Sequence, residues 1–320
     1  MGRASRSTIL CVSLGCAATL MAAPPGPVVL TPSERASITT EIEQDRADTE
    51  RWLKSDPTSY LATVDRRDFG ARTMLTVGRA ADNDVRVDAA DFSAHHLRVT
   101  VEGERFRVDA VDAGAHFTVE KKDTRSAVVA PSSVGVGRFV LRLSHQGYPA
   151  IIVFDPQSPR FKDYKGLKYF PPNLALRYEL PLTPNPHPET VIVLSTRGNQ
   201  RRAVRVGWFD FVVGGNAGST AGSTAGSTAV RLEALRLLEP GVGDDDLGIF
   251  FRDATTGKES YALGRYVDVK KLKDGRYLLD FNLAYNPACA FSDHYNCPIP
   301  PRANVLPIAI LAGEMDAHYH

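Results

Sequence analysis

Three side chains in one short tract have the types that metal, thiol or nucleophilic chemistry requires: Cys289, His294 and Cys297, spaced C-x4-H-x2-C. Thiolate sulfur and imidazole nitrogen are the usual protein donors to zinc. A thiol beside an imidazole can also act as a nucleophile with its base. Two cysteines in an oxidising compartment instead close on each other. The same region holds Arg265, Asp280, Tyr285 and Glu314. With His294 they make the set of five that a small-molecule enzyme would draw on: a guanidinium clamp for an anion, carboxyls for proton transfer, and a phenol for orientation. Each also has a structural reading. Arg265 is expected to pair with Glu259, Asp280 or Glu314, and Tyr285 and Tyr295 to bury their rings with the hydroxyls bonded. The spacing matches no familiar zinc pattern, so no metal and no cofactor are expected.

These residues need elements to hold them. From Asp280 to Glu314 the chain carries five prolines, several asparagines and both cysteines between two apolar runs. Proline lacks a donor and fixes φ, so the tract is neither a regular helix nor a central strand. Structureless stretches of this length are uncommon unless they are functional or disordered, and the aromatic content argues against disorder. The tract is therefore the organising loop of the chain.

At 320 residues the length favours two domains. The 38 basic and 37 acidic residues leave a net charge of +1, which gives no electrostatic footprint for nucleic acid. Arg201, Arg202 and Arg205 cluster, but within an alternating run that reads as a solvated strand face. Arg3 and Arg6 precede an apolar run from Ile9 to Leu20, and Ala22 and Ala23 follow at a cut site. This is an export signal, residues 1–23. The run is too short for an ordinary membrane span, and no later stretch is long and apolar enough for one. The expected location is extracytoplasmic, periplasmic or secreted, with a lipid anchor on Cys16 as the alternative. Once the signal is removed, Cys289 and Cys297 are the remaining cysteines, and they are expected to form a disulfide.

Residues 24–57 contain a helix. Thr31 is its N-cap, Pro32 its first residue and Glu34 closes a capping box. Ile38, Ile42, Thr49, Trp52 and Leu53 form its stripe, and Pro57 stops it. From 58 to 147 short alternating runs with turn residues between them predict a small β-sandwich. From 148 to 315 further strand-like runs, beginning with Ala150 to Pro156, predict a larger antiparallel barrel or closed sandwich, and 316–320 is a tail. The Gly-Ser-Thr-Ala repeat from Gly218 to Ala229 reads as a flexible loop expansion.

Within the sandwich, Gly78-Arg79 and Ser93-Ala94-His95-His96 resemble the Gly-Arg and Ser-x-x-His motifs of forkhead-associated domains. The resemblance implies that Arg79 and Ser93 would contact phosphothreonine while His96 braces the loop. Where that family has Asn-Gly, this chain has Asp112-Ala113-Gly114. The aspartate would repel a phosphate, so the pocket of Arg79, Ser93 and His96 reads as degenerate and the sandwich as a scaffold. A second resemblance spans about Tyr148 to Glu314. Its motifs are Asp253-x-Thr255-x-Gly257-x-Glu259, Gly264-Arg265-Tyr266, Asp280-Phe281-Asn282, Tyr285-Asn286-Pro287, Cys297-Pro298-x-Pro300-Pro301 and Ala312-Gly313-Glu314. Together they resemble the family of unknown function DUF1684, which implies no activity. The sequence thus predicts an exported binding or structural module of the cell envelope with an unspecified ligand or protein partner. The alternative is a small-molecule enzyme with its pocket under the loop 282–304. Convergence of the five candidates in one cavity would favour the enzyme.

Overall fold

The computed structural model describes residues 25–214 and 226–318. The expected signal, Cys16, most of the Gly-Ser-Thr-Ala repeat and the last two tail residues lie outside them. The protein is mostly β, with one long helix and several antiparallel sheets.

The helix α1 covers Pro32–Ser55. Its capping box is formed: the Glu34 N–H donates to Thr31 Oγ1 at 3.3 Å, and the Thr31 N–H to Glu34 Oε2 at 2.7 Å. Such reciprocal bonds satisfy two donors that the first turn leaves open. Ile42 and Leu53 are buried along its stripe, and the rest of the surface is polar. The helix is held by what it lies on. Arg46 stacks over the Tyr169 ring at 4.5 Å and donates to Phe170 O at 3.0 Å. The Glu50 carboxylate accepts from the Tyr164 hydroxyl and from the Leu167 N–H.

Eleven strands follow: β1 (Thr63–Asp68), β2 (Met74–Gly78), β3 (Val85–Arg86), β4 (Leu97–Glu102), β5 (Arg105–Ala110), β6 (Phe117–Val119), β7 (Lys122–Thr124), β8 (Ser126–Val129), β9 (Ser132–Val136), β10 (Phe139–His145) and β11 (Pro149–Phe154). They make a five-stranded sheet in the order β3-β2-β4-β5-β8 and a six-stranded one in the order β1-β11-β10-β9-β6-β7. Between them pack Val77, Phe92, Leu97, Phe106, Phe117 and Ile151. The alternation along β4 and β5 buries Leu97, Val99, Phe106 and Val108 and leaves the residues between them more exposed, as a half-solvated sheet requires. One boundary differs from expectation. The run Ala150 to Phe154 does not open the second half; it is the strand between β1 and β10. A continuous apolar run suits a strand covered on both faces, and all five of its residues are buried.

The second half contains β12 (Arg177–Leu180), β13 (Thr183–Pro184), β14 (Thr190–Val193), β15 (Arg201–Val213), β16 (Thr228–Leu237), β17 (Leu247–Phe251), β18 (Arg265–Lys271) and β19 (Tyr277–Asp280). Their order is β12-β19-β18-β17-β16-β15-β13, with β14 also pairing β15, and the sheet curls into a half-barrel. The curl brings Tyr178 of β12 within 4.7 Å of Phe211 of β15, around a core with Phe209, Phe251 and Phe281. Arg201 departs from its reading as a solvated residue: it is buried and pairs with Glu239 at 2.9 Å. After β19 the chain runs through short helical turns, including Phe281–Leu283 and Ala288–Ala290. The organising loop covers one side of the half-barrel, and its early residues meet α1.

Candidate functional site

Between α1 and the start of that loop lies a cavity of about 350 Å³. From the helix come Asp45, Thr49, Trp52 and Leu53, spaced so that they share one face. The opposite wall is Asn282 to Asn286, with Glu314 from the chain's end; Tyr60, Tyr169 and Phe291 close the sides. The wall is made where three distant segments meet in a strand-like crossing. The Glu314 N–H donates to Ala284 O at 2.8 Å, and the Phe170 N–H to Gly313 O at 2.9 Å. Gly313 sits at φ +77°, and a Cβ there would lie 2.5 Å from Ala284 O, so only glycine permits the approach.

Glu314 is 3% exposed. Its Oε2 accepts from the Asn286 N–H at 2.8 Å. Burial raises its carboxyl to about 7; that hydrogen bond and Arg265 only partly offset the effect. The Tyr285 hydroxyl meets both Asp268 oxygens at 3.3 and 3.4 Å. Burial, then the adjacent Asp268 charge, pushes the Tyr285 phenol far up. Asp268 and Asp45 stand at the exposed rim, and the surrounding protein raises both carboxyls, with Asp48 adding to the effect at Asp45.

Of the five candidates, Tyr285 and Glu314 line this cavity. Asp280 stands one layer behind it. One of its oxygens accepts from the backbone and side-chain N–H groups of Asn282, and the other is paired with Arg177. Arg265 is wholly buried beneath the wall. It donates to Ala312 O at 2.5 Å, Ile310 O at 2.8 Å and Glu314 O at 3.1 Å. Its carboxylate partner is Asp253 at 3.3 Å, not Glu259, Asp280 or the Glu314 carboxyl as expected. Because Asp253 also accepts from the Ile310 N–H at 2.6 Å, the pair fastens residues 310–314 and thereby places Glu314. His294 is elsewhere, in a hollow with Thr63, Arg160 and Asp293, where burial lowers its pKa. The five therefore divide between this cavity (Tyr285, Glu314), structural contacts behind it (Arg265, Asp280) and a separate hollow (His294). Sequence reasoning missed Asp45, Asp268 and Trp52 as wall residues; the helical spacing of Asp45, Thr49 and Trp52 was the available signal.

Cys289 and Cys297 are both buried in this structure. They are adjacent but not bridged: the Cys289 N–H donates to Cys297 Sγ at 3.2 Å. The hydrogen bond from the Cys297 thiol lowers Cys289, while the same contact and burial raise Cys297 well up. No group of three His, Cys, Asp or Glu side chains among the described residues is arranged to hold a metal ion.

In the sandwich, His96 is buried. It accepts from the Ser93 N–H at 3.0 Å and bonds His116 O at 2.8 Å, so it ties the loop down. Arg79 is exposed. The Asp112 carboxylate accepts from the His95 N–H at 3.0 Å.

Residues 162–315, which hold the whole wall built from the organising loop, match the model of DUF1684, a protein of unknown function. An uncharacterized protein of Haloarcula marismortui, solved by solution NMR, is 35% identical over 52% of this chain and 85% of its own, with a TM-score of 0.37. The chain belongs to the DUF1684 family. No curated protein matches it. The FHA domain of FhaA, solved with the intracellular domain of Rv3910, is 16% identical over 25% of this chain and 78% of its own, at a TM-score of 0.19. Mycobacterium tuberculosis EmbR, solved with a low-affinity phosphopeptide, is 18% identical over 39% of this chain and 32% of its own, at 0.20. In this DUF1684 chain, Tyr285-Asn286 and Ala312-Gly313-Glu314 meet at the cavity.

Proposed function

We propose that this protein is an exported binding module of the cell envelope whose ligand site is the cavity under α1. One observation carries the reading. The cavity is formed by segments far apart in the chain, and it retains a buried carboxyl, Glu314, whose counter-charges are engaged elsewhere. Burying such a group is costly unless a partner compensates for it. A pocket of mixed aromatic and polar lining is the usual form of a small-molecule site. The division of the five candidates supports binding over catalysis, since Arg265 and Asp280 serve structural contacts and His294 lies outside the cavity. Export rests on Arg3, Arg6 and the apolar run to Leu20. No helix among the described residues is long and apolar enough to cross a membrane.

Trp52 reports on the site. The chain has two tryptophans, so Trp208→Phe leaves Trp52 as the single emitter. Titrating this variant with a fragment library of mixed charge should give saturable changes in emission that Thr49→Phe, which fills the cavity, abolishes. Emission that no fragment alters, or that Thr49→Phe leaves responsive, would refute the assignment. Fractionation with N-terminal sequencing tests export: a mature chain starting between Ala22 and Pro25 is expected, and an intact Met1 in the cytoplasmic fraction overturns it.

The enzyme alternative keeps one supporting observation. A carboxyl titrating near 7 can both give and take a proton at physiological pH. Turnover in this cavity that Glu314→Gln removes without weakening binding would favour that alternative.

A further inference from the structure

We propose that the ligand of this cavity is a small organic ammonium cation, held by aromatic faces and the three carboxyls Asp45, Asp268 and Glu314. The inference rests on the cavity being the binding site and names the class of molecule that fits it.

The lining is one-sided in charge. It contains those three carboxyls and, among the described residues, no lysine, arginine or histidine. The nearby guanidiniums stand outside the lining: Arg46 stacks on the Tyr169 ring and donates to Phe170 O, Arg265 pairs with Asp253 and three backbone carbonyls, and Arg177 pairs with Asp280, while the Nε of Arg46 and of Arg265 is left without an acceptor among the described residues. An anion would therefore meet three carboxyls and no cationic side chain in the lining. The carboxyls are not gathered as a metal site would require. They surround a space large enough for a cation whose charge is spread over an organic body.

Two further features point the same way. Trp52, Tyr60, Tyr169, Tyr285 and Phe291 line the cavity, with Arg46 stacked on the Tyr169 ring, and aromatic faces attract ammonium groups, most strongly when desolvated. Asn286, 2% exposed and part of the wall, has its amide fixed by donation from Nδ2 to Met315 O at 2.7 Å. That leaves its Oδ1 a buried acceptor with no donor. Buried acceptors in this state are rare in native proteins, and an ammonium N–H supplies the missing donor. The raised carboxyls of all three acids are what a site waiting for its cation would have.

The full chain carrying Trp208→Phe is titrated with phenethylamine, its neutral counterpart phenethyl alcohol and the anionic 3-phenylpropionate, with Trp52 emission as the readout. Phenethylamine should bind at least about tenfold more tightly than the alcohol, as charge-assisted bonds and cation–π contact together predict. Asp45→Asn, a change at the exposed rim that leaves the core intact, should narrow that ratio by about threefold or more. Equal or tighter binding of the alcohol or of 3-phenylpropionate overturns the cation assignment while the cavity stands as the site. A silent response to all three probes also overturns it, and the mixed-charge fragment titration then decides separately whether the cavity binds anything.

Discussion

Replacing Glu314 by glutamine should change how stability depends on pH, with a sign fixed by the carboxyl's environment. In the folded chain the group titrates at about 7 instead of its ordinary 4.5. Between these values the unfolded chain has lost the proton and the folded chain still holds it, so stability falls as pH rises. The contribution is fully present below about 4.5 and is gone above about 7. At about 1.4 kcal/mol per pH unit, the difference amounts to about 3 kcal/mol. The facing groups are Arg265 under the wall, Asp45 and Arg46 on α1, and the phenols of Tyr60, Tyr169 and Tyr285. The phenols stay neutral through the window, because burial raises each of them. Asp45 titrates with a raised pKa of its own, so the measurement is made in the Asp45→Asn background as well. Glutamine keeps an acceptor for the Asn286 N–H but carries no charge. Urea unfolding from about pH 5 to pH 8 should therefore show the natural chain losing up to about 3 kcal/mol relative to Glu314→Gln, with the two nearly equal at the acid end. Parallel curves across that range, or a variant that is the weaker at pH 8, would refute the reasoning.

Other consequences are equally direct. Gly313→Ala forces a Cβ into a left-handed position 2.5 Å from Ala284 O, so it should lower stability by more than about 2 kcal/mol; a denaturant midpoint near that of the natural chain would contradict the wall geometry. Cys289 and Cys297 should form a disulfide under oxidising conditions, as one crosslinked peptide in non-reducing mass spectrometry; both thiols alkylating freely there would refute the bridge. A phosphothreonine peptide library should give no binder that depends on Arg79, since Asp112 faces the loop; binding lost in Arg79→Ala would reverse that conclusion.

The sequence by itself determined those features whose physics is local. Thr31, Pro32 and Glu34 specify a helix start through bonds within one turn, and the helix begins there. Alternation along β4 and β5 is a property of each strand's own pleat, so an antiparallel β protein was legible before any contact was known. Tyr285-Asn286 and Ala312-Gly313-Glu314 were each visible as motifs, though not as a junction. Tertiary structure decided everything that depends on which surfaces meet. Ala150 to Phe154 is apolar throughout, and such a run is compatible with either half; only pairing with both β1 and β10 assigned it to the sandwich. Arg265 had several carboxylates within plausible reach along the chain, and the curl of the half-barrel selected Asp253. Asp45 and Asp268 look like ordinary surface acids in sequence. They become part of one site because α1 packs across the loop, and a charge's environment is set by its neighbours in space rather than by those in the chain.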